Sequence, residues 1–216
     1  MNTTGWLSGI ALAVMSLVGC DEDAMHEALN LQHDLLSADF AEGDESFVTA
    51  DEAHARLETD DGTYRMTAKQ PLDAPISSYG WFSRTAYNVH SDVTVVRVSS
   101  SDAIVGVMCL DGDTSPENGY GFWISTKGDG YLLLKVVDGD YSEVIASVED
   151  AQPLHDGQRI GIRCTDGSVV GVLDGDPVVD SSDHSFDRFN AVNLVWGSQT
   201  AGDFVEYDDL VAVVPE

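Results

Sequence analysis

The chain is short of positive charge. Its 216 residues include ten lysines and arginines against 38 aspartates and glutamates, a formal charge of −28, and the first basic residue is Arg56. A phosphate backbone is repelled by such a surface, and no basic stripe is present to displace its counterions, so nucleic acid is excluded as a partner. Solubility alone accounts for the acidity, although uptake of divalent cations is compatible with it. Catalytic signatures are lacking too: there is no Gly-x-Ser-x-Gly elbow, no His-Glu-x-x-His helix and no phosphate-cradling glycine loop. The six histidines are scattered, with only His26 and His33 spaced to share a helical face. No catalytic residue is assigned, and no cofactor is required.

Long apolar runs are also scarce. The one between Trp6 and Val18 is shorter than the roughly 18–20 residues of a membrane span. It ends in Leu17-Val18-Gly19-Cys20, where small residues before a cysteine match a bacterial lipoprotein signal, cleaved before Cys20 and diacylated on that thiol. Residues 1–5 carry no lysine or arginine, the usual opening of such a signal, so an uncleaved anchor and an ordinary N-terminal helix stand beside this reading. The Gly-Cys step followed by Asp21-Glu22-Asp23 favours the signal. On that reading residues 1–19 are the signal peptide and Cys20 is the lipidation site. The lipid makes the membrane a partner, and the rest of the chain lies in the extracytoplasmic cell envelope.

Only three cysteines are present. With Cys20 assigned to lipid, Cys109 and Cys164 remain as an even pair in a compartment that permits oxidation. Each ends a β-like run. A disulfide between neighbouring strands would close a loop of about 55 residues, worth about 4 kcal/mol in the chain-entropy model. Two separate buried thiols are the alternative, and the absence of Cys-x-x-Cys or clustered Cys/His spacing argues against metal ligation.

Residues 20–37 read as a tether, with Met25, Ala28, Leu29, Leu31, Leu35 and Leu36 spaced for one short amphipathic helix. From Phe47 onward the pattern is β. Asp-Gly pairs recur at 61–62, 111–112, 129–130, 138–139, 156–157, 166–167 and 174–175, each marking a turn. Strands are predicted at 63–68, 93–98, 104–109, 120–125, 131–137, 143–148, 159–164, 169–173, 191–196 and 204–214, with hairpins turning at Asp138-Gly139-Asp140, Thr165-Asp166-Gly167 and Asp174-Gly175. Many short strands at this spacing indicate an all-β, antiparallel two-sheet jelly-roll sandwich over 38–216.

The stretch GVMCLDGDTSPENGYGFWISTKGDGYLLLKVVDGDYSEVI resembles the concanavalin A-like, laminin-G-like jelly-roll domains of bacterial secreted proteins and lipoproteins. The features that carry the resemblance are Val107-Met108-Cys109, Gly119-Tyr120-Gly121-Phe122-Trp123-Ile124 and Gly130-Tyr131 with Lys135-Val136. Further on, Ile162-Arg163-Cys164, Val172-Leu173-Asp174-Gly175 and Val205-Glu206-Tyr207-Asp208-Asp209-Leu210-Val211 match as well. Asp39-Phe40 and Gly62-Thr63-Tyr64-Arg65-Met66 resemble the opening strands.

The resemblance implies carbohydrate binding or adhesion by a non-catalytic module. It places an aromatic platform among Trp81, Tyr87, Trp123, Tyr141 and Trp196, although large aromatics in a sandwich more often belong to its core. Alternation puts Tyr120, Phe122 and Ile124 on the core face and Trp123 on the other. Some relatives bind structural Ca²⁺ where first and last strands meet, which here implicates Asp39 and Asp208; the plainer reading is that Asp208 and Asp209 guard an edge strand. A glycoside hydrolase is the alternative function. Laminarinase-type enzymes use a Glu-x-Asp-x-(x)-Glu strand that sets two carboxylates about 5–5.5 Å apart, and neither Glu143 with Glu149 nor Glu206 through Asp209 has that spacing. A structural or signalling protein that contacts another envelope protein is the third reading. The partners expected are therefore the membrane and either a polysaccharide or an envelope protein.

Overall fold

The computed structural model describes residues 34–41, 46–111 and 118–215. The signal peptide, Cys20 and the tether as far as residue 33 lie outside the described residues. Among the described residues every regular element is a strand. In chain order they are β1 (Asp34–Ala38), β2 (Ala50–Asp51), β3 (Ala55–Asp60), β4 (Thr63–Ala68), β5 (Ile76–Ala86), β6 (Val89–Val98), β7 (Ala103–Asp111), β8 (Asn118–Ser125), β9 (Gly130–Val137), β10 (Asp140–Glu149), β11 (Gln158–Thr165), β12 (Ser168–Leu173), β13 (Asp176–Ser181), β14 (Phe189–Ser198) and β15 (Phe204–Val213).

They form two antiparallel sheets. The back sheet runs β13-β12-β11-β6-β15-β4-β3-β2, with β1 also on β15, and the front sheet runs β10-β9-β8-β7-β14-β5. The first half of β15 pairs with β4 and its second half with β1, while β6 flanks the other side. All three expected hairpins form. At Asp138-Gly139 and Asp174-Gly175 both residues have positive φ (52° and 75°, 52° and 88°), the pair of conformations that a two-residue type I′ turn needs.

Period-two alternation fills the space between the sheets. Val93, Val95, Ile160, Ile162 and Tyr207 point inward from the back sheet and Val107, Phe122, Leu133, Leu194 and Trp196 from the front, all fully buried in one core cluster. Two phenols tie the core together. Tyr207 on β15 donates to the Val195 carbonyl across the sandwich at 2.8 Å, and Tyr64 on β4 donates to the Val48 carbonyl and meets Ser78 Oγ on β5, both at 2.6 Å. Burial pushes both phenols up, Tyr64 to about 12 and Tyr207 further.

Three expectations are corrected. Asp34–Ala38 is β1, with Leu35 and Ala38 buried, so the last residues assigned to the tether and its helix are strand. Strands β5 and β13, and the short β2 and β3, extend the sheets beyond the predicted set. Cys109 and Cys164 do form a disulfide, with a Cα separation of 6.7 Å, but the bridge joins β7 of the front sheet to β11 of the back sheet. It staples the two layers together rather than linking neighbouring strands.

Because the bridge closes a separation of 55 residues, replacing both cysteines by alanine is expected to lower the unfolding free energy by about 2–5 kcal/mol. Dithiothreitol is expected to shift the wild-type urea curve by a similar amount. Superimposable curves with and without reductant would rule the staple out.

Candidate functional site

The outward faces of the two sheets differ in kind. On the back sheet the face is ionic. Arg65 donates to Glu206 (Nε to Oε1, 2.9 Å), and Arg65 and Arg97 lie 4.6 and 5.2 Å from the Phe204 ring centroid. Arg159 pairs with Asp92 and reaches Thr94 Oγ1 at 3.0 Å and the Asp209 carbonyl at 2.9 Å. The front sheet instead holds a second apolar cluster, itself buried, on the side away from the shared core: Met108 and Leu110 from β7, Trp123 from β8, Leu134 and Val136 from β9, Ala191 and Val195 from β14. Tyr79, Ile104, Leu132 and Tyr141 edge it.

Two aromatic pairs lie on this face. Trp123 stacks on Tyr141 with centroids 6.0 Å apart, and Tyr79 stacks on Trp81 at 6.2 Å. Two glycines explain how the indole of Trp123 lies against the sheet. A Cβ at Gly106 would fall 2.5 Å from Trp123 Cδ1, and one at Gly121 would fall 3.1 Å from Met108 Cγ and 3.3 Å from Trp123 Nε1. Between the pairs sits Asn193, in register with Tyr79 on one side and Met108 on the other. Among the described residues neither its Oδ1 nor its Nδ2 has a hydrogen-bond partner, and neither does Trp123 Nε1.

At one end of the face a cavity of about 460 Å³ opens. Its apolar floor is Ile104, Trp123 and Leu132, and its rim carries Asp73, Asp102, Asp129, Ser125 and Gln199. Both walls are held in place. On one side Leu72 N–H donates to the Ser198 carbonyl (2.9 Å), Gln199 Nε2 donates to the Leu72 carbonyl (2.5 Å), and Pro75 packs over Gly197. On the other, Thr126 N–H donates to the Ala103 carbonyl (2.9 Å) and Gly128 N–H to the Ser125 carbonyl (3.2 Å). Lys127 lies 4.0 Å from Asp102 and 3.8 Å from Asp129.

The opposite end of β8 carries a polar network. Tyr120 donates to Asp183 Oδ1 at 2.5 Å and accepts from Phe186 N–H at 3.0 Å, and Lys135 lies 3.5 Å from Asp183 Oδ2. Burial works against ionisation of Asp183, but the Tyr120 hydroxyl, Ser185 and Lys135 outweigh it and hold the carboxyl down at about 2. Burial and Asp183 together push the Tyr120 phenol up. The network pins the 182–188 loop, by which the chain passes from back sheet to front, over Tyr120 and Phe189.

Of the five aromatics singled out in the sequence, Trp81, Trp123 and Tyr141 share the front face, and Trp81 is 53 % exposed. Tyr87, 63 % exposed, stands on the turn from β5 to β6, apart from both pairs. Trp196 is corrected: it points inward and is fully buried in the core. Asp39 follows β1 and Asp208 lies on β15, where those strands pair. Asp39 Oδ1 accepts from Ala41 N–H (3.1 Å) and Asp208 Oδ1 from Asp209 N–H (2.7 Å). Among the described residues no three His, Cys, Asp or Glu side chains gather to hold a metal. Tyr79, Asn193 and the cavity were not anticipated. The alternation of Tyr79 with Trp81 is the signal that points to the first of them.

No family model and no curated protein matches the chain. Its architecture is an antiparallel jelly-roll sandwich, and solved structures with that fold superpose on it. The carbohydrate-binding module CBM66 from Bacillus subtilis is 16% identical with a TM-score of 0.55, covering 78% of this chain and 95% of its own. The β-glucanase of Bacillus licheniformis is 9% identical with a TM-score of 0.60, covering 85% and 99%. A prokaryotic β-1,3-1,4-glucanase (lichenase) from a mouse hindgut metagenome is 11% identical with a TM-score of 0.62, covering 85% and 100%. At these identities the likeness is one of fold.

Two outcomes follow from this geometry. Gly106→Ala is expected to displace the Trp123 indole, destabilising the protein by about 1–3 kcal/mol and shifting tryptophan emission; an unchanged spectrum would show that the ring does not rest on that backbone. Asp183 is usually near 3.8 and is held at about 2 in the fold, so its contribution is fully present above the higher value and lost as pH falls towards the lower one. Asp183→Asn is expected to cost about 1–3 kcal/mol at pH 7 and to flatten the acid limb between those two pH values. Equal slopes in the two proteins would count against the network.

Proposed function

We propose that the protein is a non-catalytic carbohydrate-binding module, exported and held at the cell envelope by lipid on Cys20. The observation that carries the reading is the contrast between the two outward faces. One is ionic, and the other carries two stacked aromatic pairs, with Trp81 exposed, and a cavity with an apolar floor and a polar rim. Sugar rings are apolar on their C–H faces and polar at their edges. They therefore suit flat aromatic side chains flanked by amides and carboxylates. The buried disulfide fits an oxidising, extracytoplasmic compartment.

Hydrolysis is the second reading, because two of the structural neighbours are named glucanases. A glycosidase needs an acid and a nucleophile or base facing the bond that it cleaves. The outward positions of the central strands here are instead Gly106, Met108, Leu110, Gly121, Trp123 and Asn193, which favours binding over cleavage.

Native gels cast with β-glucan, mannan or levan separate the two. Retardation by at least one polymer, weakened about tenfold (about 1.4 kcal/mol) in the exposed-site variant Trp81→Ala, with no release of reducing ends, is the expected result. Free migration in every polymer would overturn the module, and release of reducing ends would favour the hydrolase.

A further inference from the structure

We infer that the cavity at the end of the front face is a subsite for one terminal, uncharged sugar unit; the inference rests on the reading of that face as a sugar-binding surface. Its volume of about 460 Å³ lies towards the lower end of the 300–1,000 Å³ usual for small-molecule sites, so it suits a sugar or two rather than a length of polymer. The floor offers an apolar surface to the C–H face of a ring. The rim offers hydroxyl partners at its edge: three carboxylates, the Ser125 hydroxyl and the Gln199 amide.

Charge decides the class of sugar. Asp73, Asp102 and Asp129 face the cavity against the single ammonium of Lys127, which is already shared between two of them. A uronate or sulfate entering here meets uncompensated like charge at short range, which costs free energy in proportion to how far water is excluded. A neutral unit meets acceptors for its hydroxyl protons. The side chains of Asp102 and Asp129 are 78% and 67% exposed, so they form a rim rather than a buried acid pair.

Shape decides that the unit is an end. Pro75 stands over Gly197 on the outward side of β14: a Cβ there would lie 3.3–3.4 Å from its ring. The β8–β9 turn rises on the other side of the floor. A polysaccharide laid across the strands at this level would run into Pro75, whose loop is tied to Ser198 and Gln199. The walls are therefore already in place before a ligand arrives, which lowers the ordering cost of binding.

The test is calorimetric titration of the full chain with laminaritetraose, cellotetraose, mannotetraose and tetragalacturonate, followed by the longer neutral polymer of whichever tetraose binds. Ala74→Trp places an indole in the cavity from an exposed wall position, and Asp102→Arg neutralises the rim. The expected pattern is binding of at least one neutral tetraose, with tetragalacturonate at least tenfold weaker and stoichiometry on the polymer set by chain ends rather than by mass. Ala74→Trp is expected to weaken the neutral tetraose at least tenfold with an unchanged melting temperature, and Asp102→Arg to strengthen tetragalacturonate at least tenfold. If Ala74→Trp binds like wild type while Trp81→Ala loses affinity, the face binds sugar and the cavity does not. Stoichiometry that scales with polymer mass would likewise overturn end recognition. If wild type binds none of the four but is retarded by a polymer in the gels, this inference falls and the module reading stands; if it also migrates freely in every polymer, both fall.

Discussion

The two sheets share a single core, and the register that fills it governs everything else in the molecule. Cys109 and Cys164 fasten β7 to β11 across that core, and the Tyr207 hydroxyl reaches from the back sheet to the Val195 carbonyl of the front one. In a strand, successive side chains leave opposite faces, so a one-residue slip would exchange inside for outside along the whole element. The staple and the phenol therefore do more than add stability. By holding Cys109 to the interior, the staple obliges Met108 and Leu110, its neighbours on β7, to the opposite face, and on β14 Asn193 and Val195 share that face while Val192, Leu194 and Trp196 fill the core.

That obligation gives the front face its character. Once Phe122 and Ile124 are committed to the core, Trp123 must emerge on the other side. Gly106 and Gly121 then remove the Cβ atoms on which its ring would otherwise be propped up. Glycine within a strand weakens it, and a buried amide without partners costs about 1–3 kcal/mol for each unmade bond. Asn193 and two strand glycines close together on one outward face run against what stability alone favours. Such departures gather where a surface is shaped for something other than folding. The back sheet shows the ordinary alternative, with arginines and carboxylates paired along its outward side.

Much of the architecture is legible in the sequence, and the parts that are not have physical reasons. Strands bounded by Asp-Gly turns and filled with Val, Ile and Leu stand out because pattern and turn chemistry agree. Ile76–Ala86 does not, because serines, a glycine and an arginine interrupt its apolar positions; its Gly80 makes room for Leu36 and Phe47, a tertiary demand that leaves no periodic trace. Asp34–Ala38 has leucines spaced for either a helix or a strand, and pairing with β15 decides between them. Alternation within β8 correctly separates Trp123 from its neighbours. The same alternation along β14 turns Trp196 inward alongside Val192 and Leu194. The cavity is illegible because five chain segments build it, and their meeting is a property of topology rather than of any local motif.

Charge and apolar surface serve compatible ends here. Exposed apolar side chains such as Trp81 and Val144 invite self-association on a weakly charged protein, and a formal charge of −28 opposes the approach of a second copy. Salt screens that repulsion over roughly 8–10 Å, so an anionic polymer would meet it only on close approach, and a neutral one would not meet it at all. The few cations reinforce the division. Arg56, Arg65, Arg97, Arg159 and Arg163 all lie on strands of the back sheet, where the ionic outward face is. The front face keeps few groups that would prefer an acidic partner.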